Sequence, residues 1–107
     1  MVKIITEISE IPKNKKVVVD AYATFCMPCK KIAPMYEELS KKYTEIYFFK
    51  FDVDQSEELS THFEIKAMPT FVFLNNGKKI GKVEGANLEK ITALLDKLDK
   101  LGKTEKL

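Results

Sequence analysis

Two cysteines stand three positions apart in Cys26-Met27-Pro28-Cys29, where a run of β-branched residues gives way to a helical pattern. They are the only two in the chain, which excludes a disulfide-dense scaffold. Residues i and i+3 of a helix hold their Cβ atoms about 5–6 Å apart. A disulfide needs about 3.5–4.5 Å, so the first turn of a helix needs only slight adjustment to close the pair. At the start of a helix, Cys26 meets free backbone donors and the positive end of the dipole. Both favour a thiolate, below the free thiol value of about 8.5. Lys30 adds positive charge, and Pro28 suits a position where its missing donor is not needed. A structural zinc site needs four ligands, and beyond the pair the chain offers only His62, which the pattern places on a helix surface. A reversible dithiol and two merely neighbouring cysteines remain as readings.

The elements around the pair follow from periodicity. Residues 2–5 form a first strand, and Pro12 and Asn14 mark a turn with little room for a helix before it. Lys16 to Tyr22 carries Val17-Val18-Val19, a run suited to a strand buried on both faces. After the pair, Ile32, Met35, Leu39 and Tyr43 recur at helical spacing, with Pro34 inside the pattern and expected to kink it. Ile46 to Val53 alternates: Tyr47, Phe49, Phe51 and Val53 share one face, and Ile46, Phe48, Lys50 and Asp52 the other, as in an interior strand. Asp54 or Ser56 caps a short helix through Phe63. Asn76-Gly77 between two strand-like runs, 70–74 and 79–84, signals a hairpin. Asn87 caps a last helix with the stripe Leu88, Ile91, Leu95 and Leu98, which Gly102 ends; 102–107 is expected to fray. Strands alternating with helices imply parallel units, with the hairpin as an antiparallel edge. The expected fold class is α/β, a single three-layer α/β/α domain over 1–107 with a central mixed sheet.

Composition narrows the function. The 107 residues suffice for one domain. No apolar run is longer than Phe71 to Leu74, far short of the ~20 residues of a membrane helix. Net charge is +2, every basic residue is Lys, and the charges are interspersed. Nucleic-acid binding favours a basic stripe with Arg forks, so neither nucleic acid nor membrane is expected as a partner. No apolar stretch of signal-peptide length follows Lys3, and the expected location is cytoplasmic. In a reducing cytosol a close cysteine pair serves redox catalysis or metal binding more often than static bridging.

The stretch from Val17 to Lys30, with Asp20 in the strand and Phe25-Cys26-Met27-Pro28-Cys29-Lys30 after it, resembles the active-site segment of the thioredoxin family. Pro34, Asp52-Val53-Asp54, Ile65 to Thr70, Asn76-Gly77 and Glu84-Gly85-Ala86 match further family features in order, so the resemblance covers residues 2 to about 101. Three features depart from the family pattern. Phe25 replaces the usual Trp, Met27 replaces the usual Gly, and the stretch between the first two strands is short, so the first helix is truncated or lost.

The resemblance implies a thioredoxin fold and a dithiol–disulfide oxidoreductase that reduces protein disulfides. Cys26 would be the nucleophile and Cys29 the resolving thiol, one turn deeper. Asp20 would shuttle protons to and from Cys29. Lys50 would face it as a charge partner, with Lys30 and Pro28 in support. Pro69 would follow a cis peptide bond, turning the Met68 backbone toward the pair. Phe25, Met27, Met68, Pro69, Gly85 and Ala86 would form a shallow apolar groove for substrate. No bound cofactor or metal is implied. An NADPH-dependent thioredoxin reductase would recharge the protein, which is expected to be a monomer. Two alternatives differ in class. One is an oxidase or isomerase of protein-disulfide-isomerase type, against which Pro28 and the missing signal argue. The other is a redox-silent binding module.

Overall fold

The computed structural model describes residues 1–102. Along the chain run β1 (Val2–Ile4), a single 3-10 turn (Ile8–Glu10), β2 (Lys16–Tyr22), α1 (Met27–Lys42), β3 (Ile46–Asp52), α2 (Glu57–His62), β4 (Thr70–Asn75), β5 (Lys78–Glu84) and α3 (Leu88–Lys100). The 3-10 turn stands where the resemblance led to the expectation of a truncated or lost first helix. The fraying expected over 102–107 lies, beyond Gly102, outside the described residues.

The five strands form one sheet in the order β1-β3-β2-β4-β5. β1, β3 and β2 run parallel, β4 runs antiparallel to β2, and β5 antiparallel to β4. β2 is therefore bonded along both edges, which suits its unbroken valines: Val17, Val18 and Val19 are fully buried. Alternation splits the core in two. Val18, Phe48, Phe71 and Phe73 face α1 and α3, meeting Ile32, Tyr36, Ile91 and Leu95. Val17, Val19, Phe49, Phe51 and Val72 face α2 and the 3-10 turn, meeting Leu59 and Phe63.

Local chemistry sets the element ends. Ser56, not Asp54, caps α2: its hydroxyl accepts from the Leu59 N–H at 3.3 Å and donates to the Thr6 carbonyl at 2.6 Å. Asn87 caps α3 by accepting from the Lys90 N–H at 3.0 Å. The two-residue turn between β4 and β5 needs positive φ at both positions, and Asn76 and Gly77 supply it at 53° and 82°.

Two expected core positions prove exposed. Met35 and Leu88 are 44% and 39% exposed. The stripe that α1 turns inward runs through Cys29, Ile32, Tyr36 and Ser40, so Met35 flanks it and Tyr36 takes the central place. Leu88 opens α3 before the helix reaches the sheet, and burial begins at Ile91.

Tyr36 also carries polar bonds into the core. Its hydroxyl donates to the Phe49 carbonyl at 2.8 Å and to the Val18 carbonyl at 3.2 Å, tying α1 to two strands at once. Tyr36→Phe keeps the ring and removes this donor. It should lower unfolding free energy by about 1 kcal/mol, read as a lower urea midpoint at unchanged slope. An unchanged midpoint would mean that the bond adds nothing net.

Candidate active site

The cysteine pair occupies the junction between the carboxyl end of β2 and α1. Cys26 caps α1 from outside: its Sγ accepts from the Cys29 N–H at 3.2 Å, and Pro28 lies in the first turn. Negative charge on Cys26 Sγ is therefore favoured by a directed donor and by the helix dipole. Cys29 is 5% exposed, whereas Cys26 is only half-buried. The two sulfurs are joined as a disulfide with the Cα atoms 5.2 Å apart. One sulfur thus faces the solvent side and the other the interior.

Asp20 lies on the strand leading to the pair, on the face covered by α1. It is 4% exposed, and its Oδ1 has no hydrogen-bond partner among the described residues. Burial pushes its carboxyl up to about 7, against the opposing pull of Lys50. Lys50 is its register partner on β3. The Lys50 ammonium also sits 5.5 Å from the centre of the Tyr22 ring, a cation–π distance.

Asp20, Cys29 and Lys50 line one cleft of about 430 Å³, together with Tyr22, Ala33 and Tyr36. The reason for the cleft is in the sequence. Deeper in this layer large side chains such as Ile32 and Phe48 fill the gap between helix and sheet. At the ends of β2 and β3 the sheet carries Asp20 and Lys50, and facing them α1 places the small Ala33 between Cys29 and Tyr36. Lys30 is exposed at the margin of the cleft.

The rim on the other side of the pair is apolar and open. Phe25 is 91% exposed and Met27 60%. Met27, Pro28 and Ala86 line a second cleft of about 260 Å³ with Met35 and Leu88. Met68 is 38% exposed, and the Met68–Pro69 bond is cis. Pro69 itself is buried and lines no wall of this cleft. Its carbonyl accepts from the Gly85 N–H at 2.7 Å, which ties it beneath the loop. Gly85 holds φ 99°, a conformation costly for other residues. His62 lies elsewhere, edge-on to Phe63 at 4.8 Å.

Of the expected site residues, Asp20, Cys29, Lys30 and Lys50 share one cleft and Met27, Pro28 and Ala86 another, while Phe25, Met68, Pro69 and Gly85 line neither. The Asp20–Lys50 group lies toward the core, and the apolar rim faces outward. Sequence reasoning missed Tyr22 and Tyr36. Tyr22 shares the Asp20 face by strand alternation, and Tyr36 follows Cys29 by seven residues on the inward stripe, so both signals were present. Among the described residues no group of three or more His, Cys, Asp or Glu could hold a metal ion, and no helix is long and apolar enough to cross a membrane.

Comparison with known proteins gives one pattern. The family model described as Thioredoxin matches residues 5–98. The chain is 45% identical to thioredoxin of Homo sapiens over 85 residues, 79% of this chain and 81% of that protein. It is 49% identical to thioredoxin-1 of Saccharomyces cerevisiae over 79 residues, 74% and 77% of the two chains. A solved structure of Plasmodium falciparum thioredoxin superposes with a TM-score of 0.83 at 42% identity, covering 89% of this chain and 97% of that one.

Proposed function

The chain belongs to the thioredoxin family and is a dithiol–disulfide oxidoreductase acting on protein disulfides, and from that premise we propose how its residues divide the work. Cys26 is the attacking thiolate. It attacks one sulfur of a target disulfide, the target S–S bond breaks, a Cys26–target disulfide forms, and one target thiolate leaves. Cys29 then gives up its proton and attacks Cys26 Sγ. The mixed disulfide breaks, the second target thiolate leaves, and the Cys26–Cys29 disulfide remains. Two electrons pass from the pair to the target.

Asp20 takes the Cys29 proton and returns it on the reverse path. A carboxyl titrating at about 7 exists in both forms near neutrality, which suits it to both directions. Water in the cleft that Asp20 shares with Cys29 would carry the proton. Lys50 holds the ionised state of Asp20 within reach. Lys30 and the Pro28 turn support charge and geometry at Cys26. Phe25, Met27, Met68, Gly85 and Ala86 receive the target chain, with Pro69 shaping the loop from beneath. Exposed methionines adapt to many partners, which fits a reader of varied disulfides.

The observation that carries this reading is the asymmetry of the pair: one sulfur capped by a donor and open to partners, the other buried and sharing a cleft with Asp20, whose Oδ1 has no hydrogen-bond partner among the described residues. We also assign residues 1–107 to a single domain of this type. The protein would act as an electron carrier in a reducing cytoplasm, as a monomer, recharged by an NADPH-dependent thioredoxin reductase.

The test is reduction of a protein disulfide driven by NADPH and thioredoxin reductase, together with the equilibrium of the pair against glutathione. Turnover with strong reducing poise is expected. A potential near about −180 mV, where disulfide isomerases lie, would overturn the reductase reading in favour of an isomerase.

A further inference from the structure

The cleft beside Cys29 has the size and lining of a small-molecule site. Its volume of about 430 Å³ falls in the range of roughly 300–1,000 Å³ of ligand pockets. Its walls are mostly apolar: Val2, Ala23 and Ala33 with the Tyr22 and Tyr36 rings. Its floor holds the buried Asp20, whose Oδ1 has no partner among the described residues. A ligand that donates to Oδ1 takes the place of water in the cleft and keeps that acceptor bonded.

The charges at the cleft select the ligand. Lys30 and Lys50 line it, and so do Asp20 and Glu37. A cationic ligand meets the two ammonium groups, and a carboxylate ligand meets the two acids. A neutral group with a donor and an acceptor side by side avoids both conflicts. Such a group would donate its N–H to Asp20 Oδ1 and accept from the Lys50 ammonium, leaving a flat apolar body to Val2, Ala33 and the Tyr22 ring.

We infer that this cleft is a binding site for a small aromatic carboxamide, separate from the apolar rim that receives protein targets. The occupant lies against Cys29 and Asp20 and displaces water from between them. It therefore blocks proton exchange without touching the rim. Binding itself is independent of the catalytic scheme; only its kinetic effect rests on the role given to Asp20.

The experiment uses benzamide, with benzoate and benzylammonium as charged counterparts, titrated into the isotopically labelled disulfide protein. Benzamide should bind with a dissociation constant of roughly millimolar order, as a small fragment does. It should shift the resonances of Tyr22, Ala33 and Lys50 and spare the methyls of Met27 and Met68. Ala33→Leu places a branched side chain at the lip of the cleft. The position is exposed and leucine is a strong helix former, so the fold is retained. The variant should weaken benzamide by about tenfold or more.

No saturable shift, shifts mapping to the rim, or equal binding by the Ala33→Leu variant would each overturn the site. Tighter binding of benzylammonium or benzoate would overturn the carboxamide assignment. In steady-state reduction, benzamide should lower kcat at unchanged KM. Confirmed binding in the cleft without that loss would leave the site standing and instead overturn the proton role of Asp20.

Discussion

Cys29→Ser should stop the reaction halfway and leave the protein covalently bound to its targets. In this variant Cys26 still caps α1 and keeps the directed N–H and the helix dipole. Attack on a target disulfide is therefore preserved, but the thiol that releases the product is gone. The serine hydroxyl at position 29 is a far weaker nucleophile than a thiolate, so the Cys26–target linkage is not resolved from within. The mixed disulfides should accumulate in a cell lysate and run as reducible adducts on a gel. Cys26→Ser, by contrast, should form no adducts and lower turnover by about 10⁴-fold or more, since a hydroxyl is a far weaker nucleophile than a thiolate. Equal adduct formation by Cys26→Ser would reverse the assignment of the two sulfurs. A lack of adducts from folded Cys29→Ser would overturn covalent exchange as the mechanism.

Asp20→Asn should make the protein more stable and slower. The carboxyl titrates at about 7 in the fold, against 3.8 as its ordinary value. A shift of that size makes the ionised form cost about 4 kcal/mol in the folded protein. Between the two values the folded chain binds more protons than the unfolded one, so raising pH favours unfolding. The contribution is fully present below 3.8, is lost as pH rises to about 7, and stays flat above it. The asparagine variant lacks this loss. At about pH 8 it should exceed the parent by up to about 4 kcal/mol, and the advantage should shrink steadily toward pH 4. Urea titrations of both proteins across that range measure it, and the comparison cancels other groups such as Glu10, whose carboxyl is lowered by the Thr6 and Glu7 N–H groups. Turnover should fall by about 10–10²-fold and lose its inflection near neutrality. Parallel stability curves would show that Asp20 ionises in the fold without penalty.

Much of the fold was legible because local chemistry and long-range pairing agree. Asn76-Gly77 could adopt the positive φ values of a tight hairpin, and the alternation of β3 put Lys50 on the face where register then placed it opposite Asp20. Val17 to Val19 read as a doubly covered strand because every side chain in it is apolar. The failures share a different cause. Met35 and Tyr36 are adjacent apolar residues, and which one faces inward depends on the rotation of α1 over the sheet, which periodicity fixes only to within a residue. Asp54 and Ser56 are equally good caps on paper; the choice fell to Ser56 because its hydroxyl also reaches Thr6. The cleft beside Cys29 was not read from the sequence, since its small and polar lining comes from four segments that only the fold brings together.

The bare Phe25 ring has an optical consequence. The chain contains no Trp, so its intrinsic emission comes from four tyrosines alone. Any indole emission from a mixture of this protein with a target belongs to the target. A partner tryptophan placed against Phe25 or Met27 would report its own burial against a dark background, and complex formation becomes visible without attaching a dye to either protein.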